Sequence, residues 1–437
     1  MRLAKVQAAC AALRSARPSR AARAPTPSAT LSSKGLGIVF VSLSQPAGSA
    51  ASLLEAAADY AWTEEVAKQM DCLNQIVSTY PGTLEAGIAL VNLADYYERV
   101  NNTALSTQLY DQVRAQYADP DIQEYMSLAQ AWCHPLQNDS YGAVIAVSLD
   151  AMEHPRGMVS ATFGALQLAD LYKYSLQDYA SAQAIYEAVR DAYPGTSAAR
   201  EAKLGIAECI SWSPPFRHAD ALAIFQEVAA QGGEYRHQVR AVFAVGHGLF
   251  ELGDLEAALG VFAQVIQHYP GTRPADYAQM ETALCHERLG QADTAFTEVS
   301  DYLSGPHDDP VYLCWAHYLR GALLARNGDL WGAEADFRWV LASPRNELVR
   351  TVSSLALAQC LDGKGDRGGA LEVVLAAADA APNPSEKAQS LLSALVRAQE
   401  MGSAALASSL FSRLQQECPG SYLVGRAAAR LATAGSR

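Results

Sequence analysis

The amino-acid sequence predicts an all-α fold, an α-solenoid in which helical hairpins stack one on the next, and three observations carry that prediction. Ala, Leu and Gln are abundant, and β-branched residues are scattered without the alternating runs that strands require. The stretch Tyr-Pro-Gly-Thr at Tyr80 to Thr83 returns unchanged at Tyr193 to Thr196 and at Tyr269 to Thr272, with a near copy, Cys-Pro-Gly-Ser, at Cys418 to Ser421. A Pro-Gly pair stops a helix, because proline lacks an N–H donor and glycine adopts positive φ freely. The third observation is spacing. Helix-ending prolines are expected at Pro81, Pro120, Pro155, Pro194, Pro270, Pro306, Pro344, Pro382 and Pro419, and Gly232-Gly233 fills the single gap. The period lies near 37 residues, room for two helices and two turns. At 437 residues the chain also exceeds the size at which one hydrophobic core stops growing.

The first element is a leader, residues 1–50. Before the first acidic residue, Glu55, stand Arg2, Lys5, Arg14, Arg17, Arg20, Arg23 and Lys34. A short apolar stretch, Leu36 to Leu43, then leads into Ala47, Gly48, Ser49, Ala50 and Ala51, the order of a secretory signal cleaved near residue 50. An organellar transit peptide and a misassigned upstream start fit the same residues. A signal peptide would place the protein in the periplasm or outside the cell; without one, the cytoplasm is expected. Subtracting those seven basic residues from 33 leaves 26 against 46 acidic ones, a net charge of about −20. Such a body repels phosphate backbones, so nucleic acid is not expected as a partner. No apolar run reaches the roughly 20 residues of a membrane-spanning helix.

Residues 51–83 are expected to form an N-terminal capping hairpin, residues 84–421 the repeat array, and residues 422–437 a closing amphipathic helix with a tail. Within the array, turn glycines recur at Gly253, Gly290, Gly328, Gly365 and Gly402. Each is followed five residues later by Ala258, Ala295, Ala333, Ala370 or Ala407, and four residues after that by Phe262, Val299, Phe337, Val374 or Phe411. A glycine between antiparallel helices closes the first helix without a Cβ penalty. Small residues at Gly246, Gly321 and Ala358 on the first helix, and the alanines on the second, allow close approach, while the bulky residue one turn on fills the space between units. Between Trp212 and His218 the inter-helix connection is longer than elsewhere. The cysteines after the leader, Cys72, Cys133, Cys209, Cys285, Cys314, Cys360 and Cys418, are widely spaced in apolar helical text and read as small buried hydrophobes.

These residues resemble the tetratricopeptide repeat, a pattern of a large apolar residue, Leu-Gly or Leu-Ala, an aromatic, a turn glycine, an alanine, an aromatic and a closing proline. Leu93, Ala94, Tyr97, Ser106 and Tyr110 follow it, as do Leu168, Ala169, Tyr172, Ala182, Tyr186 and Pro194, and the unit of Gly246, Gly253, Ala258, Phe262 and Pro270. The resemblance covers about residues 52–421, and the Tyr-Pro-Gly-Thr helix ends resemble those of tetratricopeptide proteins of the bacterial envelope. It implies a right-handed solenoid of about nine to ten hairpins that acts as a non-catalytic scaffold for a protein or peptide partner, with envelope assembly as one setting and a cytoplasmic adaptor as the alternative. It also implies that the first helices of the hairpins line a concave groove, which places Arg240, Phe243, His247, Tyr277, Trp315 and Tyr318 as partner-binding candidates. Members that capture a C-terminal carboxylate use a lysine and asparagine clamp; here the corresponding places hold Val91 with Asp95, Leu166 with Asp170, and Phe243 with His247, so that mode is not expected.

No catalytic, cofactor or metal constellation is expected. There is no H-E-x-x-H, Walker loop, G-x-S-x-G or dinucleotide fingerprint. Gly363 to Gly369 holds lysine and glycines but sits where an inter-helix turn belongs. Cys133-His134, Cys285-His286 and the Cys314/His317 pair read as ordinary helix positions. Asp119, Asp121, Asp308 and Asp309 flank prolines and read as helix caps or solvated turns. An α-helical toroid acting on carbohydrate is the enzyme alternative; it would close on itself, whereas the regular glycine, alanine and proline pattern favours an open stack.

Overall fold

The computed structural model describes residues 48–133, 141–307, 309–344, 346, 349–381 and 383–434. Residues 1–47 of the expected leader, His134, Asp308 and Pro382 lie outside them. The described residues form twenty-one α-helices and no strand. They divide into two compact units, residues 1–278 and 279–437.

The first unit contains six helical hairpins: α1 (Ala50–Trp62) with α2 (Val66–Thr79), α3 (Leu84–Arg99) with α4 (Thr103–Gln116), α5 (Pro120–Cys133) with α6 (Tyr141–Glu153), α7 (Met158–Asp170) with α8 (Tyr179–Ala192), α9 (Ser197–Trp212) with α10 (His218–Gln231), and α11 (Tyr235–Leu252) with α12 (Leu255–His268). Helix α13 (Arg273–Arg288) follows, and its first six residues belong to this unit. The second unit holds the rest of α13, then α14 (Ala292–Ser304), α15 (Pro310–Arg326), α16 (Leu330–Ala342), α17 (Arg350–Gly363), α18 (Arg367–Ala380), α19 (Pro384–Glu400), α20 (Ala404–Glu417) and the single closing helix α21 (Leu423–Ala434).

Each Tyr-Pro-Gly-Thr stretch is the joint between two hairpins. Gly82, Gly195 and Gly271 sit at φ of 80°, 82° and 73°, the left-handed region that costs a side chain about 1–2 kcal/mol. The threonine then caps the next helix. Its hydroxyl donates to the tyrosine carbonyl three residues back (2.9, 2.7 and 2.7 Å for Thr83, Thr196 and Thr272) and accepts from Ala86, Ala199 and Ala275 N–H. One hydroxyl thus satisfies an orphan donor of the new helix and an acceptor left by the old one. Pro120 departs from its expected role: it opens α5, at the first helical position, where a missing N–H removes no intrahelical bond.

The turns inside the hairpins place Gly253, Gly290, Gly328, Gly365 and Gly402 at φ between 75° and 86°. Asn101 and Gln177 take the same conformation in the α3–α4 and α7–α8 turns, where the sequence has no glycine. An acidic residue follows several of these turns and caps the second helix, as Asp254, Asp329 and Asp366 do through bonds to Ala257, Gly332 and Gly369 N–H. Gly363 to Gly369 is such a turn and cap. Asp121 does something that sequence spacing does not reveal. Buried in α5, it accepts from Val159 and Ser160 N–H at 3.0 and 2.8 Å and so caps α7 of the next hairpin. Asp309 caps its own helix, α15.

Packing follows from size complementarity between the two helices of a hairpin. Ala258, Ala295, Ala333, Ala370 and Ala407 are fully buried, as are Phe262, Val299, Phe337 and Val374; Phe411 is half-buried. A Cβ built on Gly246 would stand 2.6 Å from the Phe262 ring and one on Gly321 3.0 Å from Phe337, each within its hairpin, while one on Gly205 would stand 2.5 Å from Tyr186 of the preceding hairpin. The first helix must therefore be bare at that position for the ring of the second to fit. Six of the seven described cysteines are buried free thiols; Cys133 is half-buried, and its Sγ lies 2.7 Å from Asp95 Oδ1.

Two glycines separate packing from propensity. Gly246→Ala drives a methyl into the buried Phe262 ring and is expected to destabilise the protein, overpacking of about 1–3 kcal/mol outweighing the helix propensity gained. Gly260→Ala, on an exposed face of α12 with nothing within 4 Å of the added Cβ, is expected to stabilise by about 0.5–1 kcal/mol. Urea unfolding midpoints of the two variants test the sign of each effect.

Candidate binding cavity

The odd-numbered helices α7, α9 and α11 carry a line of buried charge across the first unit. Lys173, in the π-helical turn Leu171–Ser175 that ends α7, is fully buried and lies 2.7 Å from Glu208 and 3.2 Å from Asp170. Asp170 also accepts from the Tyr186 hydroxyl. Glu208 of α9 is shared, because Arg240 of α11 donates to it at 2.9 Å and to both oxygens of Glu201 at 2.6 and 2.8 Å. Glu201 in turn faces His237 at 3.0 Å, and His237 faces Glu234, which holds Arg200. The Lys173 ammonium also lies over the Tyr174 and Tyr186 rings, at 4.3 and 5.0 Å.

This ladder fixes the charge states of its members. Burial by itself would push the Glu201 carboxyl up, but Arg240 and His237 hold it well below the usual carboxylate range; Glu208 is lowered against the same burial by Arg240 and Lys173. The Arg240 guanidinium is raised well above its ordinary value, the attraction of Glu201 and Glu208 exceeding the effect of burial. His237 is raised too: burial opposes its charge, and the bonds to Glu201 and Glu234 outweigh burial.

The first helix closes onto this surface. Arg236, one residue before His237, reaches back 177 positions to Asp59 and also to Glu55, at 2.9 and 3.0 Å, and it donates to Ser197 at 2.8 Å. Within the first unit α1 thus touches α11 of the sixth hairpin. Charge pairing between residues so far apart in the chain leaves no periodic trace.

Between the closing helix and the ladder lies a cavity of about 480 Å³. Its walls are Trp62 from α1, Glu208, Ser211 and Trp212 from the end of α9, His218 and Phe225 from α10, Arg240, Phe243 and His247 from α11, and Arg273 and Tyr277 from the start of α13. Phe243 stacks on His247 at 6.3 Å, meets Tyr277 edge-on at 6.0 Å and backs onto Phe262 at 5.9 Å, which ties the wall to the hairpin core. Trp212 is held between Tyr174 and Tyr179. His218 accepts or donates through Nδ1 to the Ser211 hydroxyl at 3.0 Å, stacks on Phe216, and faces Glu251 at 4.0 Å. Burial lowers its pKa, with Glu251 opposing. At the rim, Arg273 pairs with Glu64 at 2.5 Å.

Of the six groove candidates, Arg240, Phe243, His247 and Tyr277 come together in this cavity. Trp315 and Tyr318 belong to the second unit, where they meet edge-on at 6.0 Å, pack half-buried against its core and, for Tyr318, against Phe337. Trp62, Glu208, Trp212 and Arg273 were not among the candidates. The longer connection at Trp212 to His218 was the available signal for one wall; nothing local marks Trp62 or Arg273. Among the described residues no group of three or more His, Cys, Asp or Glu is placed to hold a metal ion.

Two measurements test this electrostatic frame. Because His237 binds its proton more tightly when folded than when unfolded, its contribution is fully present below pH 6.5 and is lost as pH rises through the folded value, with a slope of at most about 1.4 kcal/mol per pH unit. His237→Gln is expected to be less stable than the parent at pH 6 and to lack that alkaline-side slope in unfolding free energy measured from pH 6 to 9. Arg236→Ala leaves Asp59 half of its pairing and is expected to raise amide hydrogen exchange in Ala50–Trp62 selectively, with α5 and α7 unchanged.

Residues 165–196 and 248–272 match the family model for the tetratricopeptide repeat. No curated protein matches the sequence. Among solved structures, the human IFIT1 dimer with m7Gppp-AAAA superposes with a TM-score of 0.55 at 14% identity, covering 89% of this chain and 91% of that one. The human IFIT1 dimer with PPP-AAAA gives 0.53 at 14% identity, over 88% and 91%. A tetratricopeptide repeat protein from Parabacteroides merdae gives 0.42 at 13% identity, over 63% and 98%. The family model thus matches the tetratricopeptide repeat in two segments of this chain, and the fold, a stack of helical hairpins, is shared with solved structures over nine-tenths of its length.

Proposed function

We propose that the chain is a non-catalytic scaffold that binds a protein or peptide partner, and that the cavity of the first unit is where a partner side chain seats. The observation that supports this most is the convergence of Trp62, Trp212, Phe243 and Tyr277, from four separate helices, on one space of about 480 Å³. Rigid aromatics give large contact area at low conformational cost, and binding energy concentrates on such anchors. Each anchor here is already braced: Phe243 by Phe262, Trp212 by Tyr174 and Tyr179. The walls are built before a partner arrives, which lowers the ordering cost of binding. The setting we favour is the cell envelope, on the residue order of Lys34 to Ala51.

Crosslinking and affinity capture with the full chain in its native cell, followed by N-terminal sequencing of the captured bait, tests both statements. A partner retained by the Trp315→Ala/Tyr318→Ala double variant and weakened about 10-fold or more by Trp212→Ala or Tyr277→Ala is the expected result. Equal retention by all variants, with melting curves showing each folded, would overturn the cavity as the docking point.

A further inference from the structure

Resting on that reading, we infer that the occupant of the cavity is a peptide segment presenting a basic side chain next to a bulky apolar one. The cavity is of the size that takes a drug-sized body, hence two or three side chains and not a folded surface. Its aromatic walls suit an apolar anchor, and the faces of Trp62, Trp212 and Tyr277 attract a cation through their ring quadrupoles.

Charge decides between a basic and an acidic neighbour for that anchor. The two guanidinium groups in the walls are already engaged, Arg240 by both Glu201 and Glu208 and Arg273 by Glu64. The walls themselves carry Glu64 and Glu208 against Arg240 and Arg273, with His218 and His247; behind them the ladder, the closure by α1 and Glu251 add six carboxylates against Lys173, Arg200, Arg236 and His237. An anion entering here meets guanidinium groups whose charge is spent on neighbouring carboxylates, whereas a cation meets balanced walls backed by more carboxylates than lysine and arginine side chains. The chain after residue 50 carries a net charge of about −20, which favours the approach of a basic segment over that of a phosphate-rich chain. The likeness to IFIT1 structures with m7Gppp-AAAA therefore extends to the fold and stops short of the ligand.

The test uses the full chain and three N-acetylated, amidated hexapeptides that differ only at one central position, Phe-Lys, Phe-Gln or Phe-Glu, with PPP-AAAA as a phosphate-rich competitor; tryptophan fluorescence and calorimetry read binding. The expected order is Phe-Lys at least about 10-fold tighter than Phe-Gln, Phe-Glu weakest, and the Phe-Lys advantage shrinking between about 50 and 500 mM salt. Glu64→Gln, at an exposed rim position, should narrow the gap between Phe-Lys and Phe-Gln several-fold. Trp212→Phe and Tyr277→Leu keep apolar volume and should weaken all three peptides while leaving the melting temperature near that of the parent. Phe-Glu or PPP-AAAA binding as tightly as Phe-Lys, with the Trp212 variant losing it, overturns the basic-segment inference and leaves the cavity standing as the docking point. Phe-Lys binding that neither the Trp212 nor the Tyr277 variant changes overturns the cavity itself. Absence of saturable binding by every peptide up to about 1 mM overturns the basic-segment inference.

Discussion

Everything in this protein depends on one close approach, a bare position on the first helix of a hairpin meeting a ring on the second. Where Gly246 faces Phe262 and Gly321 faces Phe337 within a hairpin, and where Gly205 faces Tyr186 of the preceding one, a single methyl would intrude to 3.0 Å or less. The ring and the alanine four residues before it on its own helix are both fully buried, and such close packing leaves the two helices little freedom to slide. A hairpin locked in this way still has an uncovered apolar face, and the next hairpin covers it. The Tyr-Pro-Gly-Thr joint sets the entry of that next hairpin by capping it with the residue that ends the stop.

On this rigid frame the first unit can carry charge that no isolated helix would bury. Lys173, Glu208, Arg240, Glu201 and His237 come from three successive hairpins, and each has a partner of opposite sign on a neighbouring one. Pairs of this kind add little net stability over apolar packing of the same volume, since desolvation offsets much of the attraction. Removing one member, however, strands the others, so the ladder specifies register between hairpins more than it strengthens them. Two of the same carboxylates, Glu201 and Glu208, occupy Arg240 of the cavity wall. The structural device that aligns the hairpins thereby also determines which charge the cavity accepts.

Much of the fold was legible because its rules are local and repeated. Turn glycines, the alanines five residues on and the closing prolines each answer a requirement within a few residues, and repetition over many units makes a weak signal strong. The exceptions were equally local in cause: Pro120 opens a helix, and Asn101 and Gln177 adopt positive φ in place of glycine. Asp121 was legible as a cap but not as the cap of a helix 38 residues away. Of the cavity, Arg240, Phe243, His247 and Tyr277 were reachable by register on the first helices of hairpins. Trp315 and Tyr318 satisfy the same register yet pack into the second unit, because exposure of a groove position depends on what the neighbouring hairpin presents.

By itself, then, the sequence determined the helical hairpin, its turns and caps, its buried small and bulky positions, and the acidic character of the body, all of which follow from backbone sterics, capping and composition acting over short range. The tertiary structure alone decided that Arg236 would bring α1 onto α11, that Trp62 would complete a cavity with residues some 150 to 215 positions away, and that the guanidinium groups in its walls would be taken up by carboxylates. Those outcomes depend on where successive hairpins carry side chains in space, and small rotations summed over many units leave no mark at any single position of the chain.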